Sequence, residues 1–158
     1  LKLQTANPKP QILVIGVGNE FRNDDGVGIY VARKLKELNL DNVIVIEQSG
    51  EGTALMEYWS AGKMVFVVDA VSSGANAGTI FSFDANKQTL PSKFFHYSSH
   101  LFGVAEAIEL SRTLKQLPQQ FFVYGIEGKN FESGNALSLE MSAAGDSVLK
   151  EILNQCER

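Results

Sequence analysis

The sequence predicts an α/β domain, a three-layer α/β/α sandwich on a mostly parallel, twisted sheet of about five strands, one of them antiparallel. Three observations carry this. Short apolar runs alternate along the chain with stretches whose apolar residues recur at helical spacing. The first run, Ile12-Leu13-Val14-Ile15, leads into the turn Gly16-Val17-Gly18 and then an amphipathic helix, the layout of an open parallel sheet. One later segment, 79–84, alternates Ile80, Phe81 and Phe83 with polar residues, as an edge or antiparallel strand does.

Taken in order, the first strand is expected over 11–17 and the first helix over about 25–38, where Val27, Val31, Leu35 and Leu38 form one stripe. Val43-Ile44-Val45-Ile46 reads as a buried parallel strand. A short helix over 53–60 follows the turn Gly50-Glu51-Gly52. Met64 to Val68 is the next buried strand, ending at Asp69. After the loop 72–78 comes the alternating strand, and then a loop leads to a helix over 100–115. Phe121-Phe122-Val123-Tyr124 is a strand closing in the turn Gly125-Ile126-Glu127-Gly128, and the last helix spans about 138–155. Residues 1–10, polar with Pro8 and Pro10, are expected to be a flexible lead-in, and 11–158 a single domain.

Composition excludes several classes. A net charge of −4 argues against nucleic acid and anionic membranes as partners. No apolar run approaches the roughly 20 residues that span a bilayer. The single cysteine, Cys156, rules out an internal disulfide framework and multi-cysteine zinc, which suits a reducing cytosol. There is no Gly-x-Ser-x-Gly elbow, Walker lysine loop or His-Glu-x-x-His.

The turn after the first strand holds the chemistry. A dinucleotide loop would place a third glycine at position 21, where this chain has Phe21, and no carboxylates where phosphate sits on the helix N-terminus. Here Asp24 and Asp25 occupy that place, and carboxylates attract cations. Asp24 is assigned the helix cap and Asp25 the functional group, although the pattern alone allows the exchange. Asp69 stands at a strand end, where an aspartate equally well ties down a turn. His100, behind the loop Tyr97-Ser98-Ser99, is expected in the first helical turn with Ser99 as cap, where the dipole keeps an imidazole neutral. His96 reads as a packed loop residue. Two carboxylates and an imidazole suit a borderline divalent ion. Gly26 and Gly28 are costly in a first helical turn, so something is expected to approach this backbone closely.

Ile15-Gly16-Val17-Gly18-Asn19 followed by Asp24-Asp25-Gly26-Val27-Gly28, then Val67-Val68-Asp69-Ala70, then Ser98-Ser99-His100-Leu101-x-Gly103, resemble the hydrogenase maturation endopeptidases over nearly the whole chain. The resemblance implies a cytoplasmic hydrolase. It would remove the C-terminal extension of a nickel-iron hydrogenase large-subunit precursor after nickel insertion, activating that enzyme. The implied fold is phosphorylase/hydrolase-like, and the implied metal-contacting and catalytic residues are Asp25, Asp69 and His100. Nickel would be presented by the substrate, with zinc or cadmium able to take its place in a crystal, and the protein is expected to be a monomer. Substrate contacts are expected from Asn19, Glu20 and Asp24 and from the turn Gly50, Glu51, Gly52 and Thr53. That turn, Ser49-Gly50-Glu51-Gly52-Thr53, replaces the Asp-Gly-Gly-Thr-like turn of many members. Two rivals are a nickel-binding carrier or chaperone without protease activity, which would use the same ligands, and a nucleotide-binding module, which would not explain Phe21 or the acidic pair.

Overall fold

Period-two alternation in strand β1 (Ile12–Val17) sends Ile12 and Val14 to one face of the sheet and Leu13, Ile15 and Val17 to the other. The computed structural model, which describes residues 11–60, 63–95 and 100–157, shows both faces covered. β1 pairs in parallel with β2 (Val43–Gln48) and β3 (Met64–Val71), and β3 pairs in parallel with β5 (Gln120–Glu127). β4 (Ile80–Asp84) runs antiparallel to β5, giving the order β2-β1-β3-β5-β4. Helices α1 (Val27–Glu37) and α4 (Leu139–Cys156) press Val31, Leu35, Val148 and Ile152 onto the face of Val14, Phe66 and Val68. Helices α2 (Gly52–Trp59) and α3 (Val104–Thr113) press Leu55, Trp59 and Ile108 onto the face of Ile15, Val67 and Phe121. The expected three-layer sandwich is the observed one. No helix among the described residues is long and apolar enough to cross a membrane.

Several boundaries differ for reasons that bear on the site. The apolar run 43–46 is not a strand buried on both faces. β2 is an edge strand and leaves Ile44 44% exposed. β3 and β5 outrun their apolar cores, because Asp69, Ala70 and Val71 pair with Gly125, Ile126 and Glu127, and β4 in turn pairs with β5 there. Asp69 therefore lies within a strand, not after one, and 125–127 is strand, not turn. A 3-10 turn, Asn23–Gly26, precedes α1. α3 opens at Val104, with the Glu106 carboxylate reaching back to the Gly103 N–H (3.4 Å), so His100 sits in irregular chain ahead of the helix and not in its first turn. The expectations for residues 1–10, His96, Tyr97 and the Ser99 cap lie outside the described residues.

Candidate active site

β3 continues past the last residue that β1 offers it, since the final β1–β3 pair is Gly16 with Val68. A crevice opens there, outside the carboxyl end of β1 and at the point where the strand order reverses. Asp69 is the next residue of β3 and falls on the face of Val65, Val67 and Val71, which packs against α2 and α3. An aspartate in that register is a choice hydrophobic packing would not make. It is buried, as is Asp25.

Asp25 reaches the same crevice from the β1–α1 loop. Gly18, at φ 146°, lets the chain turn hard after β1, and a Cβ there would fall on the Asp25 carbonyl oxygen. The Asn19 N–H donates to Asp25 Oδ2 (3.1 Å), and the Phe21 N–H donates to Asn19 Oδ1 (2.9 Å), closing a side-chain-supported turn. Asn19 thus shapes the loop.

Asp24 behaves differently from its neighbour. It caps no helix, since neither the 3-10 turn nor α1 has a side-chain cap bond. Its carboxylate points inward, 1% exposed, and accepts from the N–H groups of Lys129 (2.8 Å), Asn130 (3.0 Å) and Ser138 (2.9 Å). That stitches the β5–α4 connection onto the β1–α1 loop and leaves Asp24 no surface for a substrate. Asp24 is structural, as a latch and not as the expected cap.

Ser49 and Gly50 form the opposite wall, and Gly50 is held at φ 100°. Glu51 caps α2, accepting from the N–H groups of Thr53 and Ala54 (2.9 Å each), and these bonds hold its carboxyl below the usual glutamate range. The Gly52 N–H donates to the Phe102 carbonyl (2.8 Å), and the Phe102 ring fills the space a Gly52 side chain would need. That bond anchors the segment carrying His100, whose Cδ2 lies 3.8 Å from where a Gly50 Cβ would stand. Thr53, exposed, faces outward beside Phe102.

Asp25 and Asp69 line one narrow cleft with Val17, Gly18, Gly50 and Gly103, a space of about 20 Å³ that holds one water-sized particle or ion. His100, partly exposed, lies next to Gly50 of that lining. Of the three sequence-predicted donors, Asp25 and Asp69 thus share one cleft, and His100 lies beyond its lining. Among the described residues, no three His, Cys, Asp or Glu side chains are grouped closely enough to hold a metal ion by themselves. Glu20, expected at the rim, is engaged by Arg33 (2.7 Å), which also holds Glu47 (3.1 Å).

Two residues of the site's frame went unassigned in the sequence. Glu127, 3% exposed, accepts from Ser73 N–H (3.0 Å), Ser73 Oγ–H (2.6 Å) and Gly74 N–H (3.1 Å), holding the loop that follows β3. A glutamate directly after the apolar run 121–126 was the available signal. Phe21 registers in the sequence only as a missing glycine, yet its ring stands 66% exposed beside the cleft. The close approach inferred from the glycines is real but comes from the protein itself. Gly28 packs α1 directly against the carbonyls of Val17 and Val68, and Gly26 lies against Glu20.

The family model of hydrogenase maturation proteases matches residues 29–155. A Methanocaldococcus jannaschii protein provisionally assigned as a hydrogenase maturation protease is 32% identical over 157 residues, covering 95% of this chain and 99% of that one. The hydrogenase 2 maturation protease of Escherichia coli is 24% identical, covering 90% of this chain and 88% of its own. The fold matches the solved E. coli hydrogenase maturating endopeptidase HybD with a TM-score of 0.76, at 21% identity, over 93% of this chain and 92% of that one. By the family model and by the archaeal relative matched almost end to end, the chain belongs to the hydrogenase maturation protease family.

Proposed function

We propose that this protein removes the C-terminal extension of a nickel-iron hydrogenase large-subunit precursor once nickel is in place, with the substrate-bound nickel as the feature it recognises. The observation that carries this reading is two buried carboxylates, Asp25 and Asp69, lining one cleft of ionic size, with His100 beside Gly50 of the same lining. Hard oxygen donors and one imidazole give modest affinity for free nickel, whereas thiolates of a precursor supply the soft ligands that hold it firmly. A site so divided favours precursor already loaded with metal.

For the cleavage itself the chain contributes two carboxylates, either of which can take a proton from an attacking water once the scissile amide is within hydrogen-bond reach. Their burial raises the strength of every such contact, because little water competes for them. His100, held by the Phe102–Gly52 hydrogen bond, positions the metal-bearing segment at the mouth.

The test is incubation of the purified protein with purified precursor, with and without nickel, followed by mass measurement of the precursor C-terminus. Cleavage of the nickel-loaded form only, abolished in Asp25→Asn and in His100→Ala, is the expected result. Cutting of metal-free precursor would overturn nickel recognition. Uncut precursor together with tight binding of free nickel would favour a carrier instead.

A further inference from the structure

The catalytic cleft admits little more than an ion, so a polypeptide substrate must lie across its mouth and lodge its flanking side chains elsewhere. An open groove of about 380 Å³ begins at the same place, sharing Gly18 and Ser49 with the cleft and running along the carboxyl ends of β1 and β2. Its apolar walls are Phe21 and Ile29, and its polar walls are Glu20 and Glu47.

Phe21 is the unusual member. Its ring is 66% exposed, while its backbone is fixed at both ends: the N–H donates to Asn19 Oδ1 (2.9 Å) and the carbonyl accepts from the Gly134 N–H (2.9 Å). The next residues are fixed as well, with Asn23 accepting at Oδ1 from the Ala136 N–H (3.1 Å) and Asp24 latched from within. An aromatic ring held in solvent by a rigid loop has its ordering cost met in advance, which is the property of a binding anchor. The polar wall is also set in place, because Arg33 clamps Glu20 and Glu47 together. Two carboxylates against one guanidinium leave that wall with one net negative charge, which disfavours an acidic side chain.

We propose that this groove is a substrate subsite that receives an apolar side chain of the extended precursor segment flanking the bond to be cut, and that Phe21 determines its preference. The proposal rests on the endopeptidase reading and adds to it where the chain outside the metal site is held.

The test is steady-state cleavage of nickel-loaded precursor by wild type, Phe21→Ala, Phe21→Leu and, as a control on the far end of α1, Leu38→Ala. The subsite predicts that Phe21→Ala raises KM about tenfold, the range of an anchor truncation, with kcat within about twofold. Phe21→Leu should recover most of that loss, Leu38→Ala should match wild type, and the melting temperature of Phe21→Ala should be unchanged. An unchanged KM for Phe21→Ala, a loss confined to kcat, or no rescue by leucine would overturn the subsite while the protease reading stands. Failure of the wild-type protein to cut would instead remove the protease reading and the subsite together.

Discussion

Neighbouring carboxylates in this loop should fail in opposite ways when neutralised. In Asp24→Asn one acceptor oxygen survives. If it serves Lys129 and Asn130, the new amide NH2 faces the Ser138 N–H, donor against donor, at a position 1% exposed. Losing a hydrogen bond to a charged group costs about 1.5–3 kcal/mol, and stranding a buried N–H costs about 1–3 kcal/mol. These overlap, so the net loss is about 2–4 kcal/mol. At about 2–4 °C per kcal/mol for a domain of this size, the melting temperature should fall by roughly 5–15 °C. The folded fraction should still cleave precursor. Asp25→Asn keeps an oxygen for the Asn19 N–H, so it should lose less stability than Asp24→Asn while cleavage stops. Calorimetric melting and the precursor assay on both variants decide the matter. An Asp24→Asn protein that melts with wild type, or an Asp25→Asn protein that carries the larger loss, would refute this assignment of roles.

Two further outcomes follow from the same frame. Gly28→Ala places a methyl group against the backbone carbonyls of Val17 and Val68 and 2.7 Å from the Val17 nitrogen. α1 must back away from the sheet, at about 1–3 kcal/mol or more, and Asp25 moves with it. Both the denaturant midpoint and the cleavage rate should drop, and a wild-type midpoint would contradict the packing. Glu51, held below the usual glutamate range by its bonds to the Thr53 and Ala54 N–H groups, binds protons less readily folded than unfolded. Its contribution to stability is therefore present above the ordinary glutamate range and is lost as pH falls through the lowered folded-state value. The acid limb of a plot of melting temperature against pH should flatten in Glu51→Gln, and a limb superimposable on wild type would deny the cap.

The layers of this molecule were readable because each rests on a periodicity that survives folding. The β1 run and Val27, Val31 and Leu35 bury the faces their spacing marks, whereas Leu38 of the same expected stripe stays exposed at the end of α1, and the alternation of 79–84 marks an antiparallel strand. What escaped was set by partners remote in the chain. Val43-Ile44-Val45-Ile46 has the composition of a central strand, yet among the described residues no strand pairs beyond it, and Ile44 remains half-exposed. Asp69 looked like the end of a strand because a charge interrupts the apolar run. The strand continues because β5, with β4 beyond it, continues beside it. Asp24 and Asp25 make the point most sharply. They are adjacent, of one residue type and in one turn, and any local rule treats them alike. What separates them is a backbone segment more than a hundred residues away, which takes both oxygens of the first and leaves the second to the cleft. The place of Asp25 in the cleft thus goes with Asp24 being spent on structure.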